Sequence, residues 1–202
     1  MGTNTPALGP AEKEEYLKKH LFNELRWMLC AATEWSIQEQ LGLGIDGYHV
    51  QVYAMDSAFL HARTLFEFFL NKTGKNYYGY DKFLKTEVKS DKYGNWATPL
   101  HRHLMHAQIR SQPQQLESLS GDMKDLNKMP VDFACEVLRL WKEFEEGLGT
   151  SGIAKDQELQ KLARDKRKEA IDGARCVVNS TAAKQHAGER GQQLKPVFIF
   201  AD

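Results

Sequence analysis

The stretch VQVYAMDSAFLHARTLFEFFL, residues 50–70, limits the possible folds of this chain more than any other. It is apolar almost all the way round a helix, and such a helix is buried at the centre of a bundle rather than laid on a surface. It is not a membrane span, because Asp56, His61, Arg63 and Glu67 interrupt it before about 18 uninterrupted apolar residues accumulate. Charged groups set among that much apolar surface need partners. A second unusual segment, HRHLMHAQIR at residues 101–110, packs three His and two Arg into ten residues. The two segments are candidates to meet in one half-buried polar cluster.

Helical periodicity organises the rest. After a loose N-terminal tail, residues 1–9, Pro10 with Glu12 and Glu14 suits a helix first turn. Leu17, Leu21, Leu25, Met28, Leu29, Ala32 and Trp35 then recur at steps of three and four, which predicts one helix to about Leu41. GLGIDG reads as a break with a turn at Asp46 and Gly47, and a second helix over about 48–71 forms an antiparallel hairpin with the first. A long Gly-, Tyr- and Lys-bearing loop follows, with a faint helical signal over 81–88. Thr98 and Pro99 mark the start of a third helix ending near 111–113. Phe133, Val137, Leu138, Trp141, Phe144 and Leu148 make one face of a fourth, and a fifth of about thirty residues starts at Lys155. Its first half is mostly charged, which predicts that it projects past the core or lies on its surface. The expected fold is an all-α, single-domain bundle of about five helices over residues 10–188, with a C-terminal tail over 189–202 that ends in a short apolar run able to cover a groove or pair with a partner.

At 202 residues and 42% hydrophobic content, the chain can bury one proper core. Lys plus Arg equals Asp plus Glu, 27 each, so no global field draws nucleic acid or an anionic membrane. Cys30, Cys135 and Cys176 are odd in number and widely spaced, which fits a reducing compartment and small packing roles. The start MGTNTPALGPAEKEE has neither a basic nor an apolar leader pattern, so a cytoplasmic location with no membrane contact is expected.

On a helical wheel Asp56, Arg63 and Glu67 fall within roughly 40° of one another, with Ser57, His61 and Thr64 on an adjoining sector. One reading makes these the solvent side of the helix. In the other segment His103, Arg110 and His106 line one border of an apolar face, with Arg102 about 40° from His106. An imidazole flanked by guanidinium groups suits a phosphate diester, the imidazole as general acid or base and arginine on the phosphorus oxygens. The same pattern also fits a boundary helix bonded to loops and carboxylates. A metal site from His101, His103 and His106 is disfavoured, because His101 points away from His103, and neither metal nor cofactor is expected. The loop mixes Lys72, Lys75, Lys82, Lys85, Lys89 and Lys92 with Tyr77, Tyr78, Tyr80, Phe83, Tyr93 and Trp96. Lysine on phosphate with aromatics on bases is one way to hold single-stranded nucleic acid. Alternatively, the aromatics pin the loop to the bundle while the lysines face water.

DSAFLHARTLFEFF, then a loop with Asp and Trp, then a helix carrying His with Arg four residues later, resembles an uncharacterised bacterial branch of the HEPN superfamily over roughly residues 15–112. That resemblance implies a compact, homodimeric helical bundle that binds or cleaves RNA in a toxin-antitoxin or phage-defence setting, acting as a metal-independent endoribonuclease or beside an antitoxin-like protein. It implies His106 as the catalytic imidazole, Arg102 or Arg110 as the phosphate contact, and Asp56 or Glu67 as the supporting polar residue. Arg102 precedes His106 with three residues between, against four to six in active members of the superfamily. The alternative is a catalytically silent interaction module in which the same residues form a structural network.

Overall fold

A computed structural model describes residues 7–41, 44–75, 77–92, 129–150, 154–180, 184, 187–189, 191 and 193–194. The expected helix over 98–112, and with it His101, Arg102, His103, His106 and Arg110, lies outside them. Among the described residues the protein is all-α, with five α-helices and no strand. They are α1 (Pro10–Tyr16), α2 (Phe22–Leu41), α3 (Gly44–Leu70), α4 (Met129–Gly149) and α5 (Ala154–Val178), with a 3-10 turn at Tyr80–Lys82.

The first expected helix appears as two, because a π-helical turn at Leu17–Leu21 joins α1 to α2. Leu17, Leu21 and Leu25 follow one another in steps of four, and on a regular α-helix each such step drifts about 40°. Widening one turn, with the Phe22 N–H donating to the Leu17 carbonyl, keeps all three buried. The expected break falls within GLGIDG, between Leu41 and Gly44, but Asp46 and Gly47 belong to the first turn of α3 rather than to a turn between helices. Two glycines in a first turn cost on the order of 1 kcal/mol each relative to alanine, a local preference that tertiary packing overrides.

α2 and α3 form the expected antiparallel hairpin, with Glu24 beside His61 at one end and Glu39 bonded to Gln51 at the other. α2, which packs against α3, α4 and α5, is the central helix, and the expected burial of α3 nearly all round fails along the exposed Val50, Tyr53 and Leu60. Ala54, Ala58 and Ala62 recur every four residues and are buried, small side chains that let a neighbouring helix approach closely. Phe59, Phe66, Phe68 and Phe69 are buried too, and α4 answers them with Phe133, Val137, Leu140, Trp141, Phe144 and Leu148. Ring centroids of Phe59 and Phe133 lie 5.3 Å apart, and those of Phe69 and Phe144 5.7 Å. Aromatic pairs at such separations add about 0.5–1.5 kcal/mol each beyond their burial. These pairings make α3 and α4 parallel, so the two cannot be joined by the short turn that suffices for α2 and α3.

The charged first half of α5 does not project past the core. Leu159 and Ala163 are buried, and the Trp141 indole Nε1 donates to the Ala163 carbonyl at 3.1 Å. Arg167 sits against Glu145 of α4 through bonds of 2.7 and 3.3 Å. The cysteines do not take the packing roles expected of them, since Cys135 and Cys176 are exposed and Cys30 half-buried, all three as free thiols.

Within the described part of the loop, Tyr80, Phe83, Leu84 and Val88 are buried, and Tyr78 stands edge-on to Tyr16 at 5.3 Å. Lys72, Lys75, Lys85, Lys89 and Lys92 are exposed. The aromatics there, Tyr77 excepted, pin the loop to the bundle, while Tyr93 and Trp96 lie outside the described residues.

Candidate functional site

Glu24, Trp27, Ala31 and Glu34 climb one side of α2 at helical spacing, and Val50, Tyr53, Ala54, Ser57 and His61 descend the facing side of α3. At one end, His61 Nδ1 lies 2.7 Å from a carboxylate oxygen of Glu24, and both side chains are half-buried. The carboxylate accepts only, so the bond places a proton on Nδ1 and, in the neutral ring, leaves Nε2 as an acceptor. The Trp27 indole packs on that imidazole, with centroids 5.2 Å apart and planes tilted by 47°.

Beyond Trp27 the two helices open into a shallow groove of about 460 Å³, lined by Trp27, Cys30, Ala31, Glu34, Val50, Tyr53, Ala54, Ser57 and by Val177 of α5. Its walls are mostly apolar, yet Trp27 is 49% and Tyr53 70% exposed. Val50 and Leu60 extend this exposed apolar ridge along α3. The Glu34 carboxylate accepts a bond of 2.6 Å from the Gln38 amide, and among the described residues no Lys or Arg is paired with it. Burial pushes the Cys30 thiol up, so this sulfur is a quiet wall rather than a nucleophile.

The sequence-derived stripe is partly assembled. Arg63 Nε donates to Glu67 at 2.9 Å across one helical turn. Asp56 is half-buried on the same helix, two turns before Arg63. His106, Arg102 and Arg110 lie outside the described residues, and so does their meeting with α3. The chain matches no family model, no curated protein and no solved structure. Among the described residues there is no His, Cys, Asp or Glu cluster able to hold a metal ion, and no helix long and apolar enough to cross a membrane.

Glu24, Trp27 and Glu34 escaped the sequence reading, although a signal was present. The apolar stripe of α2 drew attention to its core face, while residues 24, 27, 31 and 34 form a second stripe at steps of three, four and three. A tryptophan between two glutamates on a second face is the mark of a boundary that meets something.

Two further polar clusters hold the frame. Glu136 is 3% exposed, accepts from Ser90 Oγ at 2.7 Å and from the Arg139 guanidinium at 2.7 Å, and lies 3.7 Å from the Lys92 ammonium. Burial works to raise its carboxyl, but the bonds from Arg139 and Ser90 outweigh it and hold the group below the usual range. Asp81 likewise resists burial through bonds of 2.6 and 2.7 Å from the Thr73 N–H and hydroxyl, and its carboxyl is lowered.

Proposed function

We propose that the protein is a helical interaction module whose α2–α3 groove takes an apolar segment of a partner protein flanked by a basic residue. The observation that carries this reading is the pair of exposed aromatics, Trp27 and Tyr53, standing on either side of an apolar groove with Glu34 on its wall. Tryptophan and tyrosine supply large contact area at little entropic cost and dominate binding hot spots. The carboxylate suits a Lys or Arg beside the apolar segment. The His61–Glu24 hydrogen bond and the Arg63–Glu67 ion pair are consistent with the catalytically silent alternative, in which the polar side chains of α3 serve the frame.

The RNA reading depends on His106, Arg102 and Arg110. Among the described residues the groove lining carries neither Lys nor Arg, and a polyanion needs such groups. A single titration series tests both. The probe is a fluorescein-labelled amphipathic peptide with Leu and Phe at i, i+3 and i+7 and flanking Lys, set beside its Lys-to-Glu counterpart and single-stranded polyuridine. The expected result is saturable micromolar binding of the basic peptide, weakened about tenfold or more by Tyr53→Asp. No peptide binding, or binding indifferent to Tyr53, overturns the proposal. Polyuridine binding that Tyr53→Asp abolishes turns the assignment to nucleic acid.

A further inference from the structure

Two of the three cysteines stand on helices that run side by side. Near the start of both, the Lys166 ammonium of α5 lies 4.3 Å from the Phe22 ring of α2. Near their ends, Val177 and Val178 pack on Ile37 and Leu41, so α2 and α5 are parallel. A Cβ built on Gly173 would stand 3.6 Å from Arg26 Nε and 3.9 Å from Cys30 Sγ, which sets Gly173 level with the turn between residues 26 and 30. Three residues further along α5, at about 1.5 Å each, Cys176 comes level with Cys30 to within roughly one residue's rise.

The seam is also narrow. Gly173 and its buried neighbours Ala170 and Ala174 offer little bulk to hold the helices apart. Helices packed about 8–10 Å apart, each with Cα atoms about 2.3 Å off its axis, bring facing Cα atoms inside the limit of about 7 Å that a disulfide tolerates. The electrostatics agree with this register. Burial is the main influence on the Cys30 thiol and pushes it up, the Arg26 guanidinium works against that, and the Cys176 thiolate raises it further. Cys176 is exposed and Cys30 half-buried, so a solute meets Cys176 first.

We infer that Cys30 and Cys176 form a redox-active dithiol, in which a hydroperoxide oxidises Cys176 and Cys30 then closes a disulfide that ties α2 to α5. The Cys176 thiolate attacks a peroxide oxygen, the O–O bond breaks, and hydroxide leaves and takes up a proton, which gives a sulfenic acid and water. The Cys30 thiolate attacks that sulfur, the S–O bond breaks, and a second hydroxide leaves as water. Two thiols lose two electrons and hydrogen peroxide becomes two waters. Toward dilute solutes Cys30 is quiet because its thiolate is scarce, but a thiolate of raised pKa is the stronger nucleophile, and here its target is held beside it. None of these steps depends on the docking reading.

The test uses the reduced full-length protein, treated with hydrogen peroxide and quenched with iodoacetamide. Tryptic digestion should yield the peptide that starts at Trp27 joined to the one that starts at Cys176, in a yield that does not change on dilution, with the Cys135 peptide in neither bond. In Cys30→Ser the Cys176 sulfenic acid should persist and be trapped by dimedone. The bond closes a loop of roughly 150 residues, so the oxidised wild type should melt about 5 °C or more above the reduced form, a shift absent from Cys30→Ser. A dimedone-trapped Cys176 in the wild type with no joined peptides overturns the pairing. So do disulfides to Cys135 or between molecules, an oxidised form that melts no higher than the reduced one, and three intact thiols after a hundredfold excess of peroxide.

Discussion

Replacing Arg167 by Met should destabilise the protein by about 3 kcal/mol, at the lower end of what breaking a buried ion pair costs. Glu145 is 4% exposed on its side chain and Arg167 14%, so neither charge is well hydrated. The guanidinium answers the carboxylate with bonds of 2.7 and 3.3 Å, tying α5 to α4. Without it the carboxylate keeps its burial and loses its partner, and that uncompensated charge is the main cost. The lower figure is chosen because Arg167 retains some water contact. At roughly 2–4 °C per kcal/mol for a chain of this size, the melting temperature should fall by about 6–12 °C. Glu145→Leu combined with Arg167→Met removes both charges and fills the site with apolar volume, so it should recover most of the loss. The assay is thermal and urea unfolding of wild type, both single variants and the double variant. A loss below about 1 kcal/mol in the Arg167→Met variant, or a double variant no more stable than the singles, refutes the account of the pair as a buried charge held by its partner.

Three more outcomes follow from named contacts. Glu136→Gln should cost about 1–3 kcal/mol at neutral pH, the worth of a charged hydrogen bond, and free the loop around Ser90 to faster amide exchange. Because the folded carboxyl is lowered, its stabilisation is present above its unfolded value of about 4.3 and is lost as pH falls through the folded value, so wild type and variant should converge in acid urea titrations. Gly79→Ala places a Cβ 2.0 Å from the Asn71 carbonyl oxygen and 2.7 Å from the Thr73 nitrogen, both backbone atoms, and should cost about 2–3 kcal/mol by chemical denaturation with loss of the Thr73–Asp81 bonds in NMR spectra. Glu24→Ala and His61→Ala should each cost about 1 kcal/mol and show a coupling of similar size in a double-mutant cycle, whereas simple additivity would mean that the 2.7 Å contact contributes nothing.

Much of the architecture was legible in spacing alone. The period of α2 and the apolar face of α4 follow from where leucine and phenylalanine recur, because a helix can bury only what its 100° rotation brings together. Leu140, omitted from the face expected for α4, replaces the half-buried Leu138 there, a difference of half a turn that only the direction of the neighbouring helices could settle. The pair Arg63 and Glu67 was visible because both partners share one helix. His61 was seen without its partner, since Glu24 is thirty-seven positions away and no local pattern connects them. Glu136 joins Ser90 across a similar gap, forty-six positions, and that too is invisible to periodicity.

The chain by itself therefore determined the helices and their buried faces, because those depend on side chains a turn apart. Which helices stand side by side, and in which direction, was decided by tertiary packing. The parallel seating of α3 on α4 follows from their phenylalanines. The candidate site belongs to that second level. Trp27, Glu34, Tyr53 and Val177 come from three helices, and they make a groove only when α2, α3 and α5 are assembled.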